Sequence, residues 1–147
     1  LLNGKPWLPD TRDNGSIPRL KPIYIDFWNS SSQLLITFYR QRSPDNQTLE
    51  MFIKEFHGVG TYIMDSASRI IGIPGSYGPL KNYCNFSDGN SRTDYLTNEF
   101  FLGQVNILFY DPVTKIISGS FAFKAQNITG AVGSVVVTDG RFDCKIN

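Results

Sequence analysis

The feature that most constrains the fold of this chain is a two-residue alternation of apolar side chains in residues 103–147. Successive side chains of a β-strand point to opposite faces, so this alternation predicts strands with one buried face. Residues 103–147 therefore predict an antiparallel meander of four strands with a common apolar face. The clearest strand contributes to that face the residues Ile117, Gly119, Phe121 and Phe123.

The dipeptide Asp139-Gly140 lies between alternating apolar residues at the end of the chain. This pattern is typical of a two-residue β-hairpin, because a type I′ turn needs positive φ at both of its central residues. A hairpin at this point places Val137 opposite Phe142. The residues that it brings to one face are Val135, Val137, Phe142 and Cys144.

A second hairpin is predicted before it, with a turn at 111–115 that contains Pro112. Pairing Tyr110 with Ile116 places Ile107 opposite Gly119. A glycine inside a strand indicates a β-bulge or a close contact with another part of the backbone. On the first strand of this hairpin the predicted inward residues are Val105, Ile107 and Phe109.

Residues 48–56 fit two interpretations. Leu49, Phe52, Ile53 and Phe56 have the spacing of a helical stripe, but the same segment also fits a strand that ends before a turn at 58–60. We favour the strand.

The whole chain predicts an all-β protein. Further strands are expected at 23–29, 33–40, near 80–86 and at 93–96. We expect a single domain over residues 1–147, built as an antiparallel β-sandwich or a flattened barrel of about eight to ten strands.

The charge and the hydropathy of the chain each exclude one class of function. Lys and Arg number 14 against 13 Asp and Glu, and no basic block is present. Nucleic-acid binding requires positive charge that is clustered on one face, so we expect no nucleic-acid partner. No run in the sequence approaches the roughly 18 apolar residues that a membrane-spanning helix needs.

Cys84 and Cys144 are the two cysteines of the chain. Their spacing matches no metal motif, and two thiols alone rarely form a zinc site. Three alternatives remain open: a disulfide, two buried inert thiols, or a reactive thiol.

The sequence offers few residues for catalysis. His57 is the one histidine, and it stands beside Gly58 in a predicted turn. No nucleophile elbow, phosphate-binding loop or dinucleotide-binding motif occurs in the chain. A calcium loop is one alternative, because Asn85, Asp88, Asn90 and Asp94 supply oxygen ligands around Gly89. Their spacing is not that of an EF-hand, and such a cluster is the ordinary chemistry of a turn. We therefore expect no catalytic residue, no metal and no cofactor.

Surface aromatic residues give the best binding hypothesis. If Ile25 and its neighbours on the first strand point inward, then Tyr24 and Trp28 point outward with Asp26 between them, and Tyr39 on the next strand joins them. Flat aromatic rings beside hydrogen-bonding groups suit sugars or peptides. The alternative is that this face is covered as well, because aromatic residues on both faces of a strand indicate that both are buried.

Several short strings carry a resemblance to a known family. They are NGKPW at 3–7, GVGTY at 58–62, ISGSFAF at 117–123 and TDGRFD at 138–143. In this order and spacing they resemble a family of secreted or lipid-anchored proteins of Bacteroidota, a domain of unknown function. The resemblance implies an all-β fold and export, with a lipidated cysteine upstream of Leu1, and it implies no activity.

These observations lead to one functional hypothesis and two alternatives. We expect a non-catalytic module of the cell envelope, in the periplasm or at the outer-membrane surface, with a binding or structural role. Its expected partner is a carbohydrate or an envelope protein, and it touches a membrane solely through a lipid anchor. The alternatives are a lipocalin-like carrier of a small apolar ligand and a carbohydrate-active hydrolase.

Overall fold

A computed structural model of the chain describes residues 1–10, 21–28, 32–42, 45–66, 81–129 and 132–146. Across these ranges the protein is all-β, as the alternation predicts. The same ranges hold no helix that is long and apolar enough to cross a membrane. Asn29 and Leu80, at the ends of two predicted strands, lie outside the described residues.

The described residues form nine strands. In chain order they are β1 (Ile23–Trp28), β2 (Gln33–Arg42), β3 (Asp45–Ile53), β4 (Gly60–Met64), β5 (Tyr83–Asp88), β6 (Thr93–Leu96), β7 (Gly103–Asp111), β8 (Ile116–Asn127) and β9 (Ser134–Lys145).

The strands form one antiparallel sheet in the order β1-β2-β3-β5-β6-β8-β7-β4, and β9 pairs with β8. Strand β8 is the centre of this arrangement, because it pairs with β6, β7 and β9. Over the described strands the sheet does not close into a barrel, so of the predicted architectures the closed form is not the one adopted.

The alternation on β8 gives the sheet its buried face. Ile117, Gly119, Phe121, Phe123 and Ala125 are all buried, whereas the residues that alternate with them are partly or fully exposed. This part of the prediction is confirmed. Burial of such side chains supplies about 1.5–3 kcal/mol for each large residue, which is the main term that stabilises the strand.

The sheet bends so that its two halves share one core. The ring of Phe38 on β2 lies 5.4 Å from that of Phe121 on β8 and 6.4 Å from that of Phe142 on β9. At the other end of the core, Phe56 packs edge-to-face on Phe27 and Tyr110. Aromatic contacts of this kind add to the free energy of burial and hold the halves in register.

The predicted hairpin at Asp139-Gly140 is wrong. Strand β9 continues through this dipeptide and pairs with β8 at 134–137 and at 140–145, so the predicted meander has three strands, β7, β8 and β9, rather than four. Two residues of β9, Thr138 and Asp139, stand opposite Ala122 alone, which is a β-bulge. Asp139 has φ 56°, whereas Gly140 is not in the left-handed region that a type I′ turn would need.

The bulge still satisfies the pattern that predicted a turn. Val137 and Phe142 are five positions apart, so a regular strand would place them on opposite faces. The extra residue corrects this, and both side chains are buried, at 4% and 5% exposure. The shared apolar face is therefore confirmed, although the feature that produces it is a bulge.

A second bulge changes the inward face of β7. Ile107 lies opposite Gly119 as predicted, but Leu108 is extra, and Tyr110 consequently pairs with Ile117 instead of Ile116. Phe109, predicted to point inward, is 49% exposed, and Tyr110 packs against the core in its place.

Strand β3 was predicted from the sequence, whereas strand β4 was not. Residues 45–53 form a strand, so the helical alternative for 48–56 is wrong and the favoured strand is confirmed. Strand β4 was not predicted, because its apolar residues follow directly on the turn at Gly58. It pairs with β7 and buries Tyr62 and Met64.

Residues 1–10, which we call the N-terminal segment, cross from β9 to β2. Asn3 and Gly4 have positive φ and close a tight turn in which Leu2 and Lys5 exchange two backbone hydrogen bonds. Leu2 then bridges to Val137 of β9. At the other end Asp10 donates its N–H to the carbonyl of Tyr39 on β2, at 2.9 Å.

Candidate functional site

Two tyrosines lie side by side on the outer face of β1 and β2. Tyr24 pairs with Thr37, and Tyr39 follows two positions later on the same face of β2. Tyr24 is 38% exposed and Tyr39 is partly buried. Asp26 on β1 and Glu50 on β3, the residue opposite Thr37, share this face. We call Tyr24, Asp26, Tyr39 and Glu50 the tyrosine face.

The tyrosine hydroxyls are held in their neutral, hydrogen-donating form. The pKa of Tyr24 is raised, mainly because its hydroxyl is hydrogen-bonded to Asp26. The pKa of Tyr39 is raised first by burial and then by the negative charge of Glu50, with smaller contributions from Tyr24 and Asp26. Ionisation beside these carboxylates would place like charges together, so both hydroxyls stay protonated at neutral pH.

Buried side chains fix the position of Glu50. The hydroxyl of Tyr83 on β5 donates to Glu50 Oε1 at 2.8 Å. Tyr83 is fully buried and stacks on Phe52, with the ring centroids 5.4 Å apart. A carboxylate held by a buried phenol has little freedom to move, so this part of the tyrosine face is preorganised.

The outer face is partly covered, as the alternative to a binding surface predicted. Thr37, Phe52 and Tyr83 point away from the main core and are nevertheless buried. Asn85 on β5 is buried too; its Nδ2 donates to Ser87 Oγ at 3.0 Å, and its Oδ1 has no hydrogen-bond partner among the described residues. The side chains of the outer face are therefore most buried on β5 and least buried on β1, where Tyr24 is exposed.

Trp28, the third predicted aromatic, lies apart from the two tyrosines. It is partly buried at the end of β1 and pairs with Gln33. It lies four positions along the extended strand from Tyr24, which corresponds to about 13 Å. Trp28 therefore shares the outer face with the tyrosines but is too distant to contact the same sugar ring.

His57 is exposed, in the turn where the sequence places it. Its Nδ1 lies 3.1 Å from the carbonyl oxygen of Glu55, and its backbone N–H donates to the hydroxyl of Tyr62. It borders an open cleft of about 450 Å³ that carries both cations and anions, among them Lys54, Lys81 and Asp65. These hydrogen bonds stabilise the turn that contains His57.

The polar residues around Gly89 form the turn between β5 and β6. Asp88 Oδ1 accepts a hydrogen bond from the backbone N–H of Asn90 at 3.1 Å, and Gly89 donates to the carbonyl of Asn46. Within the described ranges, no three His, Cys, Asp or Glu side chains converge as a metal site would require.

Both cysteines are free thiols, so the disulfide alternative is not the one found in the structure. Cys84 on β5 pairs with Met51 of β3, and Cys144 on β9 pairs with Ile117 of β8. Their strands are not neighbours in the sheet. Burial raises the pKa of Cys84 well above its usual range, and burial together with the charge of Asp143 raises that of Cys144 to about 11.

We expect the free energy of unfolding to fall at alkaline pH, because the folded chain disfavours ionisation of these thiols. The unfolded chain ionises a thiol near pH 9.0, and the folded chain ionises Cys144 near 11. Below pH 9.0 their contribution to the free energy of unfolding is complete, and it is lost as the pH rises through that window. Urea unfolding between pH 8 and 11 measures the slope, which Cys144→Ala should reduce. Rapid reaction of both native thiols with Ellman's reagent at pH 8 would contradict their burial.

Comparison with known proteins gives no assignment: no family model, curated protein or solved structure matches this chain. The resemblance to the Bacteroidota family therefore depends on the four short strings alone.

Sequence reasoning found the two tyrosines and missed Glu50 and Tyr83 as parts of the same face. The alternation of side chains on β1 and β2 can be read from the sequence of each strand alone. The position of Glu50 depends on the pairing of β3 with β2, and that of Tyr83 on the pairing of β5 with β3 across an intervening strand. The one signal for Glu50 is its place between Leu49 and Met51, which are both buried.

Proposed function

We propose that this protein is a non-catalytic binding module that holds a carbohydrate on the tyrosine face. The observation that carries the proposal is the adjacency of Tyr24 and Tyr39 with the carboxylates of Asp26 and Glu50. The resemblance to exported proteins adds the expectation of a place in the cell envelope.

The chemistry of the face matches that of a sugar ring. One side of a pyranose presents C–H groups that pack on an aromatic ring, and its edge presents hydroxyls that donate to carboxylate oxygens. Tyr24 supplies an accessible ring, while Asp26 and Glu50 supply acceptors beside it. Because Glu50 is already held by Tyr83, little side-chain entropy is lost when the sugar binds.

The engagement of both carboxylates favours binding over hydrolysis. Glycosidases use one carboxyl group as an acid and a second as a base or nucleophile, both directed at the scissile bond. Here Asp26 is hydrogen-bonded to Tyr24 and Glu50 to Tyr83. Each carboxylate therefore has a role in ordering the face, and this supports a binding function.

The proposal places the module outside the cytoplasm, in the periplasm or at the outer-membrane surface. Its support is the resemblance to secreted and lipid-anchored proteins. Fractionation of cells that express the native gene tests this part, and recovery of the protein in the cytoplasmic fraction would contradict it.

Native affinity electrophoresis with soluble β-glucan, xylan, mannan and arabinan tests the binding. We expect one of these polysaccharides to retard the protein. Tyr24→Ala and Tyr39→Ala should each weaken the affinity about 30-fold, since truncation of a central aromatic costs about 2 kcal/mol. Tyr39→Phe, which keeps the ring, should retain most of it.

Phe109→Ala is the matched control, because Phe109 is an aromatic with 49% exposure on the other half of the sheet. It should bind like the unmodified protein. Equal losses in the control and in Tyr39→Ala would remove the tyrosine face as the site. Release of reducing sugar ends that is abolished in Glu50→Gln would replace the binding function with hydrolysis.

A further inference from the structure

An apolar pocket of about 210 Å³ lies between the N-terminal segment and the inner face of the sheet. Its floor consists of core residues from four strands. Its wall is the N-terminal segment on one side and the β9 bulge on the other. The lining includes Trp7, Leu8, Phe38, Leu49, Phe121 and Val137.

The segment that covers the pocket is attached at three points. Its first residues pair with β9, where Asn3 donates its N–H to the carbonyl of Val136 at 2.7 Å. In the middle, Trp7 Nε1 donates to Gln47 Oε1 of β3 at 2.8 Å. At its end Asp10 is bound to β2. The pocket between these attachments is part of the folded architecture.

The chemistry of the lining selects an uncharged, apolar occupant. Phe38, Leu49 and Phe121 present carbon surface, and the one polar group of Trp7 is already satisfied by Gln47. Among the described residues of the lining, Asp139 and Arg141 carry charged side chains; both are exposed, and their charges have opposite signs. Neither an anion nor a cation would find an uncompensated partner among these described residues.

The volume limits the size of the occupant. Apolar protein cavities of about 150 Å³ lined by Leu, Ile and Phe stay dry and bind benzene. From its volume and lining, we propose that this pocket is a second binding site, for a compact neutral hydrophobic molecule about the size of a substituted benzene. Burial of such a ligand in a preformed apolar site is favourable without any new polar contact.

This site is independent of the tyrosine face. Phe38 directs its ring into the pocket, whereas Tyr39, the next residue on β2, lies on the opposite side of the sheet. Binding in the pocket and binding on the tyrosine face can therefore be removed by different substitutions, and failure of one proposal leaves the other in place.

Trp7 provides a direct reporter for the test. The chain has two tryptophans, so the variant Trp28→Phe leaves Trp7 as the sole tryptophan fluorophore. The probe is iodobenzene, whose heavy atom quenches an indole that it contacts. We expect quenching that saturates with iodobenzene concentration, and recovery of the emission when toluene, a non-quenching ligand of similar shape, is added.

Leu8→Ser and Leu108→Ser in the Trp28→Phe protein form a matched pair. Leu8 lines the pocket and is 74% exposed; Leu108 on β7 is 66% exposed and is not among the lining residues. Because both side chains are exposed, both variants should fold. Leu8→Ser should weaken iodobenzene binding about fivefold through loss of part of one leucine's contact area, and Leu108→Ser should leave it unchanged.

Linear quenching that does not saturate and that toluene does not reverse would overturn the proposal, because it indicates random collision. Equal affinities in the two serine variants would also overturn it. Polysaccharide retardation of Leu8→Ser measures the tyrosine face separately, and it should equal that of its parent.

Discussion

A chain that lacks Ser120 should fail to fold, whereas a chain that lacks Asp139 should keep its structure. Ser120 lies in the middle of β8, between the inward residues Gly119 and Phe121. Removing one residue there reverses the face of every side chain on one side of the deletion. Either the inward residues before it or those after it must turn outward.

The cost of this reversal is large compared with the stability of the domain. If the second half of β8 turns over, Phe121 and Phe123 leave the core, at about 1.5–3 kcal/mol each. Lys124 turns inward in their place without a partner in the core. The sum approaches or exceeds the roughly 5–15 kcal/mol by which domains are stable. Strand β8 also pairs with three others, so the rest of the sheet loses its centre.

Deletion of Asp139 has the opposite effect because Asp139 is the extra residue of the bulge. Without it, Gly140 stays opposite Phe121, Thr138 comes opposite Ala122, and Val137 stays opposite Phe123. The ladder becomes regular and every side chain keeps its face. The free energy of unfolding should change by no more than about 1 kcal/mol.

Near-ultraviolet circular dichroism and thermal unfolding distinguish the two deletions. The Ser120 deletion should show no cooperative transition, and the Asp139 deletion should show one within about 4 °C of the unmodified protein. The reverse outcome would contradict the bulge. Loss of one of the two central turn residues would destroy a hairpin at Asp139-Gly140. An Asp139 deletion that does not fold would therefore support a hairpin at this point instead of a bulge.

Gly119→Ala should lower the stability by about 3 kcal/mol, at the upper end of the usual cost of overpacking. A Cβ at this position would lie 2.3 Å from the backbone oxygen of Asn106 and 2.7 Å from Cζ of Phe142. The phenylalanine ring can rotate away, but the carbonyl oxygen belongs to β7. The β7–β8 ladder must therefore separate at this point.

Thermal unfolding measures the effect, which corresponds to a fall in Tm of about 6–12 °C for a domain of this size. Gly133→Ala is the control, because a Cβ there meets no atom within 4 Å. It should change the stability by less than about 0.5 kcal/mol. Equal Tm values for the two variants would show that β7 and β8 are not in close contact at Gly119.

The glycine illustrates what short-range pattern can predict. Gly119 interrupts an apolar face between Ile117 and Phe121, and that interruption predicted the close contact that the structure contains. The same local alternation predicted Tyr24 and Tyr39 on one outer face. Each inference needed one strand or two neighbouring strands, so no knowledge of the distant chain was necessary.

Features that depend on distant pairing were missed. The pocket exists because residues 1–10 cross to β9 and to β2, and nothing in the string NGKPW specifies those partners. Glu50 and Tyr83 join the tyrosine face through the neighbours that β3 and β5 acquire in the sheet. Such contacts are set by the global arrangement of the strands. The same local patterns are compatible with many such arrangements, so they do not specify the contacts.

Strand β9 shows most clearly which features the local sequence determines and which features depend on the tertiary structure. The apolar pattern by itself predicted that Val137 and Phe142 share a face, although they are five positions apart and a regular strand would separate them. A turn and a bulge both meet this condition. The tertiary structure decided between them, because β8 is long enough to pair with β9 on both sides of the bulge, at 134–137 and at 140–145. A continuous β9 satisfies more backbone hydrogen bonds against that partner than two short strands joined by a turn.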